Sequence, residues 1–563
     1  MKPIFKTLLA ISAIAMLLTG CISNAEYLMM LGRDYGANKE ITDGNYDKSM
    51  AVKCQNGVFV GVKTQEVGAW KGIPFAKAPI GERRFKAPEA PDASDCVYEA
   101  YNYAKMPIAF SAPNDSDSYS EDCLYLNVFT AQNDIKNKPV MVWIHGGGYI
   151  LGSASGELIG ELFAKTHPDL VVASIEYRLH FLGFNNFEDI PGGEAFAGSQ
   201  NNAIKDQIMA LKWINQNIAQ FGGDPNNVTI FGESAGSFST CVLTVIDEAK
   251  GLFNKAIMES GVPGAIFPKE TTKPAAAALL QTFGAKDMND ILNVSTQDII
   301  DHMLDITAAC HTYGPAVEEG FLSPDLMEDF KNGKSNGITI MQGYNAEECR
   351  YFIDRCKQGD EAGTEKAFEP WMTSRFEKLL AEIGDNEEDL TIVNNFIADR
   401  MNEGMSKTFA IEALMTEITF GTGHRQLADI LSTHGNTYFY YFAYPSNGPL
   451  KRAAHGAEEY FVFNGPIEKE FRVGDYEGLY KHVGEVWESF AKTGVPTIDG
   501  VPVASYDVEK QNVIVFDKDG KTFTQENYLT KYHNTLKPLF KYELSTTYNN
   551  FTVSNEELSY FGM

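Results

Sequence analysis

Gly232-Glu233-Ser234-Ala235-Gly236 places a serine between small residues in a G-x-S-x-G spacing. That spacing suits a sharp strand-to-helix turn that exposes a nucleophilic hydroxyl. A motif this short also arises by chance, so its neighbours decide. Val228-Thr229-Ile230-Phe231 before it is apolar and β-branched, as a buried strand is. Ser237–Ile246 after it can form a helix, against some β-branched content. A hydroxyl at its free pKa is a weak nucleophile. Ser234 therefore needs an imidazole to take its proton, a carboxylate to orient that imidazole, and N–H donors for an oxyanion.

In strand–turn–helix sites of this kind the order is serine, acid, histidine. The histidines after Ser234 are His302, His311, His424, His434, His455, His482 and His533. His455 stands out because Ala453, Ala454, Gly456 and Ala457 flank it with small side chains, which permits close backbone approach. His302 reads as an ordinary helix residue, and His424 and His434 as cap or surface residues. For the acid, Glu347 and Glu348 follow an apolar run over 337–343. Either could stand at the carboxyl end of a strand, where open α/β sheets carry their sites. His145-Gly146-Gly147-Gly148 follows a further apolar run over 139–144, as an H-G-G-G oxyanion-donor loop does.

The elements needed to hold these groups are legible. Runs at 139–144 and 170–175 read as buried parallel strands, and 58–62 and 124–129 as edge or meander strands. Ile204, Ile208, Leu211, Ile214 and Ile218 recur at helical spacing, and Phe221-Gly222-Gly223-Asp224-Pro225 ends that helix. The βαβα rhythm predicts an α/β fold with a mostly parallel sheet. The blocks at 265–305 and 360–433 read as helical insertions, before an aromatic strand over 437–444.

These signals together resemble the type-B carboxylesterases, the carboxylesterase and cholinesterase family of the α/β-hydrolase fold. The resemblance covers about residues 52–510. It rests also on Gly72-Ile73-Pro74-Phe75-Ala76, Pro79 through Phe85, Ser120-Glu121-Asp122-Cys123-Leu124-Tyr125-Leu126-Asn127, and Tyr177-Arg178-Leu179. The most specific block runs from Asp206-Gln207 to Gly236. It implies a single hydrolase domain over 51–563 and a serine esterase with the triad Ser234, Glu348 and His455. The implied oxyanion donors are Gly147, Gly148 and Ala235, with Glu233 and Ser260 beside the triad. Cys349 stands where the family has Gly. The resemblance implies a Cys96–Cys123 disulfide, and Cys310–Cys356 is expected as a second pair. Pro113–Ser120 lacks the Trp with which cholinesterases bind quaternary ammonium, which disfavours choline esters. No metal or cofactor is implied.

Composition bounds the partners. A net charge of −28 repels nucleic acid and anionic membranes. Lys2 and Lys6, the apolar stretch 7–18 and Leu18-Thr19-Gly20-Cys21 resemble a bacterial lipoprotein signal, with residues 1–20 removed and Cys21 lipidated. Residues 21–50 then read as a tether, and the enzyme as exported to a periplasmic, outer-membrane or cell-surface position on that anchor. The partner expected at the site is a small-molecule ester. A non-catalytic binding module and an acyl hydrolase for amides, lactones or longer lipids are the rival readings.

Overall fold

The computed structural model describes residues 35–542 apart from 37, 65, 110–117, 134, 156–157, 263–265, 311–312, 357–359, 466 and 468. The expected signal segment and Cys21 lie outside the described residues. The chain forms two compact units: 1–256 with 266–324, and 257–265 with 325–563.

The first unit is built on strands β1 (Val62–Thr64), β2 (Val67–Pro74), β3 (Tyr125–Ala131), β4 (Lys138–Ile144), β5 (Val171–Ile175) and β6 (Gly223–Glu233). β1, β2, β3 and β5 pair antiparallel in that order. β5 then pairs parallel with β4, and β4 parallel with β6. Every residue of β5 is buried, as the continuous apolar run requires. Helix α1 (Asn202–Asn217) buries Ile204, Ile208, Leu211 and Ile214, and Ile218 just beyond it. Gly222, at φ 87°, ends this segment and lets the chain turn into β6. Helix α2 (Ala235–Leu243) follows β6 after one residue.

A strand β7 (Lys255–Glu259) contains the boundary between the units. In the second unit β8 (Thr339–Asn345) and β9 (Thr437–Phe442) run parallel, as do β9 and β10 (Val513–Phe516), and β11 (Thr522–Gln525) closes antiparallel on β10. The expected helical block comprises α3 (Glu361–Ile383), α4 (Glu387–Asn402), α5 (Lys407–Thr416), a π-helical turn Glu417–Gly421, and α6 (Thr422–Leu431). Among the described residues no helix is long and apolar enough to cross a membrane.

Three expectations need correction. Residues 38–50, read as part of a tether, are held by the first unit. The Asn38 amide donates to the Lys71 carbonyl at 2.8 Å, the Ile41 N–H to Val97 at 2.8 Å, and Met50 is buried. Polar composition hid these bonds. Nor do Cys96 and Cys123 form a disulfide. Cys96 is exposed ahead of a short edge strand, whereas Cys123 is enclosed beside Phe85, Leu179 and Leu182. Cys310 is likewise unbridged to Cys356; its thiol lies 3.5 Å from the Thr271 carbonyl.

Candidate active site

In the first unit, β4 and β6 are in register at Trp143↔Phe231 and Ile144↔Gly232. Both strands therefore end at the same level, and the chain leaves them as His145-Gly146 and Glu233-Ser234. Ser234 has φ 56° and ψ −121°, a strained conformation for a residue with a Cβ. From Val228 to Ile246 it is the one residue that is not buried. The flanking glycines permit this turn. A Cβ on Gly236 would stand 1.9 Å from the Ile144 carbonyl oxygen, and one on Gly232 2.5 Å from the same atom. Ala235 opens α2, so its N–H is among those with no intrahelical acceptor.

The His145–Leu151 loop is shaped for close approach. Gly147 and Gly148 have φ of 105° and 60°. The Gly147 carbonyl accepts from Ile150 and Leu151, both at 3.1 Å, which folds the loop into a tight turn. A Cβ on Gly146 would be 3.2 Å from the Ser234 Cβ and 3.0 Å from a Glu233 carboxylate oxygen. The glycine loop thus lies against the serine, with the buried Glu233 behind it. The Tyr177 hydroxyl donates to the His145 carbonyl at 2.6 Å, and the two rings stack at 4.2 Å. The Arg178 guanidinium is fixed by two bonds to the buried Asp206 of α1, at 2.8 and 2.7 Å.

In the second unit, β8 delivers Asn345 and the turn after it delivers Glu348. Glu348 Oε1 accepts the Asn345 N–H at 2.7 Å, and Oε2 lies 2.7 Å from Nδ1 of His455. The His455 N–H in turn donates to the Glu348 carbonyl at 3.3 Å, and that of Glu347 to the Ala453 carbonyl at 3.0 Å. Arg452 pairs with Glu347 at 2.7 Å. Glu347 is therefore engaged by a guanidinium, and Glu348 is the carboxylate on the imidazole. Because Oε2 accepts, Nδ1 carries the hydrogen and Nε2 is left with its lone pair, the form a general base needs. The Phe420 ring from the π-helical turn lies 5.0 Å from the imidazole, and Tyr351 meets it edge-on at 5.8 Å. Cys349 is buried and donates its N–H to Thr416 at 3.1 Å. Its φ is not positive, so the backbone makes no demand for the Gly that the resemblance leads one to expect there.

Around this dyad lies a buried polar network, of which only Ser260 was expected beside the triad. Asn345 donates to the Ala454 carbonyl at 3.0 Å and to the Glu458 carboxylate. Ser260, at φ 56°, donates to Glu458 at 3.2 Å. Burial, with the Glu348 charge second, pushes the Glu458 carboxyl up. Glu259 accepts from Trp487 at 2.9 Å, and burial pushes it up as well. His424 corrects its expected cap or surface role: it is fully buried in α6. Its Nε2 accepts from the Gly261 N–H at 3.0 Å and its Nδ1 meets Gln342 Oε1 at 3.0 Å. A polar residue inside an amphipathic helix carries no sign of which face it takes until the packing is known.

Comparison with known proteins identifies the family. The sequence profile described as the Carboxylesterase family matches residues 48–535. The chain belongs to the carboxylesterase family. It is 31% identical over 492 residues to the para-nitrobenzyl esterase of Bacillus subtilis (strain 168), covering 83% of this chain and 95% of that one. It is 32% identical to Carboxylesterase 1E of Mus musculus, covering 78% of this chain and 84% of that one. Among solved structures, a carboxylesterase of Geobacillus stearothermophilus superimposes with a TM-score of 0.74 at 32% identity, over 86% of this chain and 99% of that one. The fold is that of the α/β hydrolases, and this carboxylesterase is a serine carboxylic-ester hydrolase.

Proposed function

We propose that Ser234, His455 and Glu348 act as one triad in a ping-pong hydrolysis of small carboxylic esters. His455 Nε2 takes the Ser234 proton as Oγ attacks the ester carbonyl carbon. The resulting oxyanion is held by the N–H groups of Gly147, Gly148 and Ala235, each such donor being worth about 3 kcal/mol in the transition state. Collapse breaks the C–O bond, and His455 passes its proton to the leaving alcohol. Water, deprotonated by His455, then attacks the acyl-enzyme, releasing the carboxylic acid and restoring Ser234. Glu348 keeps Nδ1 protonated and stabilises the imidazolium. The observation that carries this reading is the 2.7 Å contact between Glu348 Oε2 and His455 Nδ1, which leaves Nε2 as a base.

An ester panel of rising acyl length, run on the wild type and on Ser234→Ala, tests it. The wild type turns over short esters and the variant loses at least about 10⁴-fold in kcat. A preference for amides over every ester overturns the substrate assignment. The signal-like residues 1–20 and Cys21 further support export and lipid attachment at a periplasmic, outer-membrane or cell-surface membrane. Cys21→Ala then releases the enzyme into the soluble fraction, and continued membrane retention contradicts the anchor.

A further inference from the structure

The loop that carries the glycine donors closes around one buried carboxyl. Glu176, the residue after β5, is only 2% exposed. Its Oε1 accepts from the Ser153 hydroxyl at 2.6 Å and from Ser155 at 3.2 Å. Its Oε2 stands 3.6 Å from Nε2 of His145, the residue that opens the loop. Neither of these two atoms has a hydrogen-bond partner among the described residues, although both are buried. The His145 ring cannot turn away. It stacks on Tyr177, and its Nδ1 meets the Gly146 carbonyl at 2.9 Å. A carbonyl only accepts, so Nδ1 holds the ring hydrogen and Nε2 presents a lone pair to Glu176. Two facing acceptors in a buried site repel each other unless one proton lies between them.

We propose that a proton shared between Glu176 and His145 ties the two ends of the 145–155 loop together, making both positioning residues for the oxyanion donors. The inference rests on the reading of Gly147 and Gly148 as those donors. The gap of 3.6 Å is about half an ångström beyond a hydrogen bond, and a small carboxyl rotation closes it. Gly152 packs the loop on itself, since a Cβ there would stand 2.4 Å from both the Gly146 oxygen and His145 Nδ1. A carboxyl gripping Ser153, Ser155 and His145 therefore sets the orientation of the glycine N–H groups between them.

The electrostatics agree with one proton on the pair. Burial pushes Glu176 up to about 7 and His145 down to about 4. Glu176 thus keeps its proton below about 7 and donates it to a neutral imidazole. Above that value the proton leaves for solvent and two acceptors face each other. Tyr177, beside Glu176, and Cys123, ahead of β3, are both pushed well up by burial. The Arg178 guanidinium is taken by Asp206 of α1, and Glu233 of β6 faces the loop at Gly146.

The test is kcat and KM for a short activated ester from pH 5 to 9, in wild type, Glu176→Ala and Glu176→Gln. Glu176→Ala is expected to lower kcat about 10- to 100-fold with KM within about threefold, because only transition-state contacts loosen. Glu176→Gln is expected to recover most of that loss, its amide donating to His145 and its oxygen accepting from Ser153. Wild-type kcat falls as pH rises past about 7, and the Gln variant lacks that fall. Wild-type kcat in the Ala variant, or an unchanged alkaline fall in the Gln variant, overturns the proposal. If the Ala variant does not fold, the Gln profile alone decides. Capture of Ser234 by a phosphonate reports on the esterase reading separately, so the two can fail independently.

Discussion

Nδ1 of His455 and Oε2 of Glu348 are 2.7 Å apart, and both side chains are buried. The bond fixes the tautomer as well as the ring. In Glu348→Gln an amide N–H can face Nδ1, which then accepts and drives the ring hydrogen to Nε2. The base is lost without loss of shape. We predict a fall in kcat of about 10³- to 10⁴-fold with KM little changed. Steady-state kinetics checks this, and a loss under tenfold argues against the assignment of the acid.

Gly236→Ala tests the turn. The added Cβ would stand 1.9 Å from the Ile144 carbonyl oxygen, a backbone atom that cannot move without disturbing β4. Thermal or urea unfolding should show a loss of about 3 kcal/mol or more, together with loss of esterase activity. Gly148→Ala is the contrast. Its nearest neighbour is Ile150 at 3.9 Å, so only the positive φ penalises it, at about 1 kcal/mol. Equal losses for the two variants would contradict the packing described.

Acid stability should depend on His424. Burial lowers its pKa to about 3. Between the unfolded value of 6.5 and about 3, the unfolded chain takes up a proton that the folded chain refuses. Stability is therefore full above 6.5 and falls as pH drops through this window, by an upper bound of about 3 kcal/mol near pH 4. Urea midpoints from pH 7 to 4 should fall less steeply in His424→Gln than in wild type. Parallel curves would show that His424 is not the group responsible.

The cysteines give a chemical check. With Cys96 exposed and unbridged, a thiol reagent labels it in the native protein, whereas buried Cys123 reacts only after unfolding. A reductant leaves Tm unchanged. A native protein that withholds Cys96 from the reagent until it is reduced would restore the disulfide.

Much of the site was legible because it is local. G-E-S-A-G and H-G-G-G each combine an apolar strand with glycines that a tight turn demands, and both parts lie within a dozen residues. The isoleucine periodicity over 204–218 likewise marked the buried face of α1. The remainder depends on chain segments meeting. Residues alone did not separate Glu347 from Glu348, because Arg452, which engages Glu347, is 105 positions away. Glu176 reads as any polar residue after a strand until Ser153, Ser155 and His145 fold over it. The Cys96–Cys123 pairing failed for a related reason, since a family position does not carry the environment of its partner. Asn38 looked like tether because its bonds run to Lys71 and Asn102.

The proposed mechanism stands or falls with Ser234 as the nucleophile. The sharpest check is to treat the folded enzyme with a serine-directed phosphonate and map the adduct by mass spectrometry. Esterase activity should be lost stoichiometrically, with one adduct on the peptide containing Ser234. No adduct should form in Ser234→Ala or, at matched times, in His455→Ala. Inactivation with the adduct on another residue, or an active enzyme left unlabelled at Ser234, would contradict it.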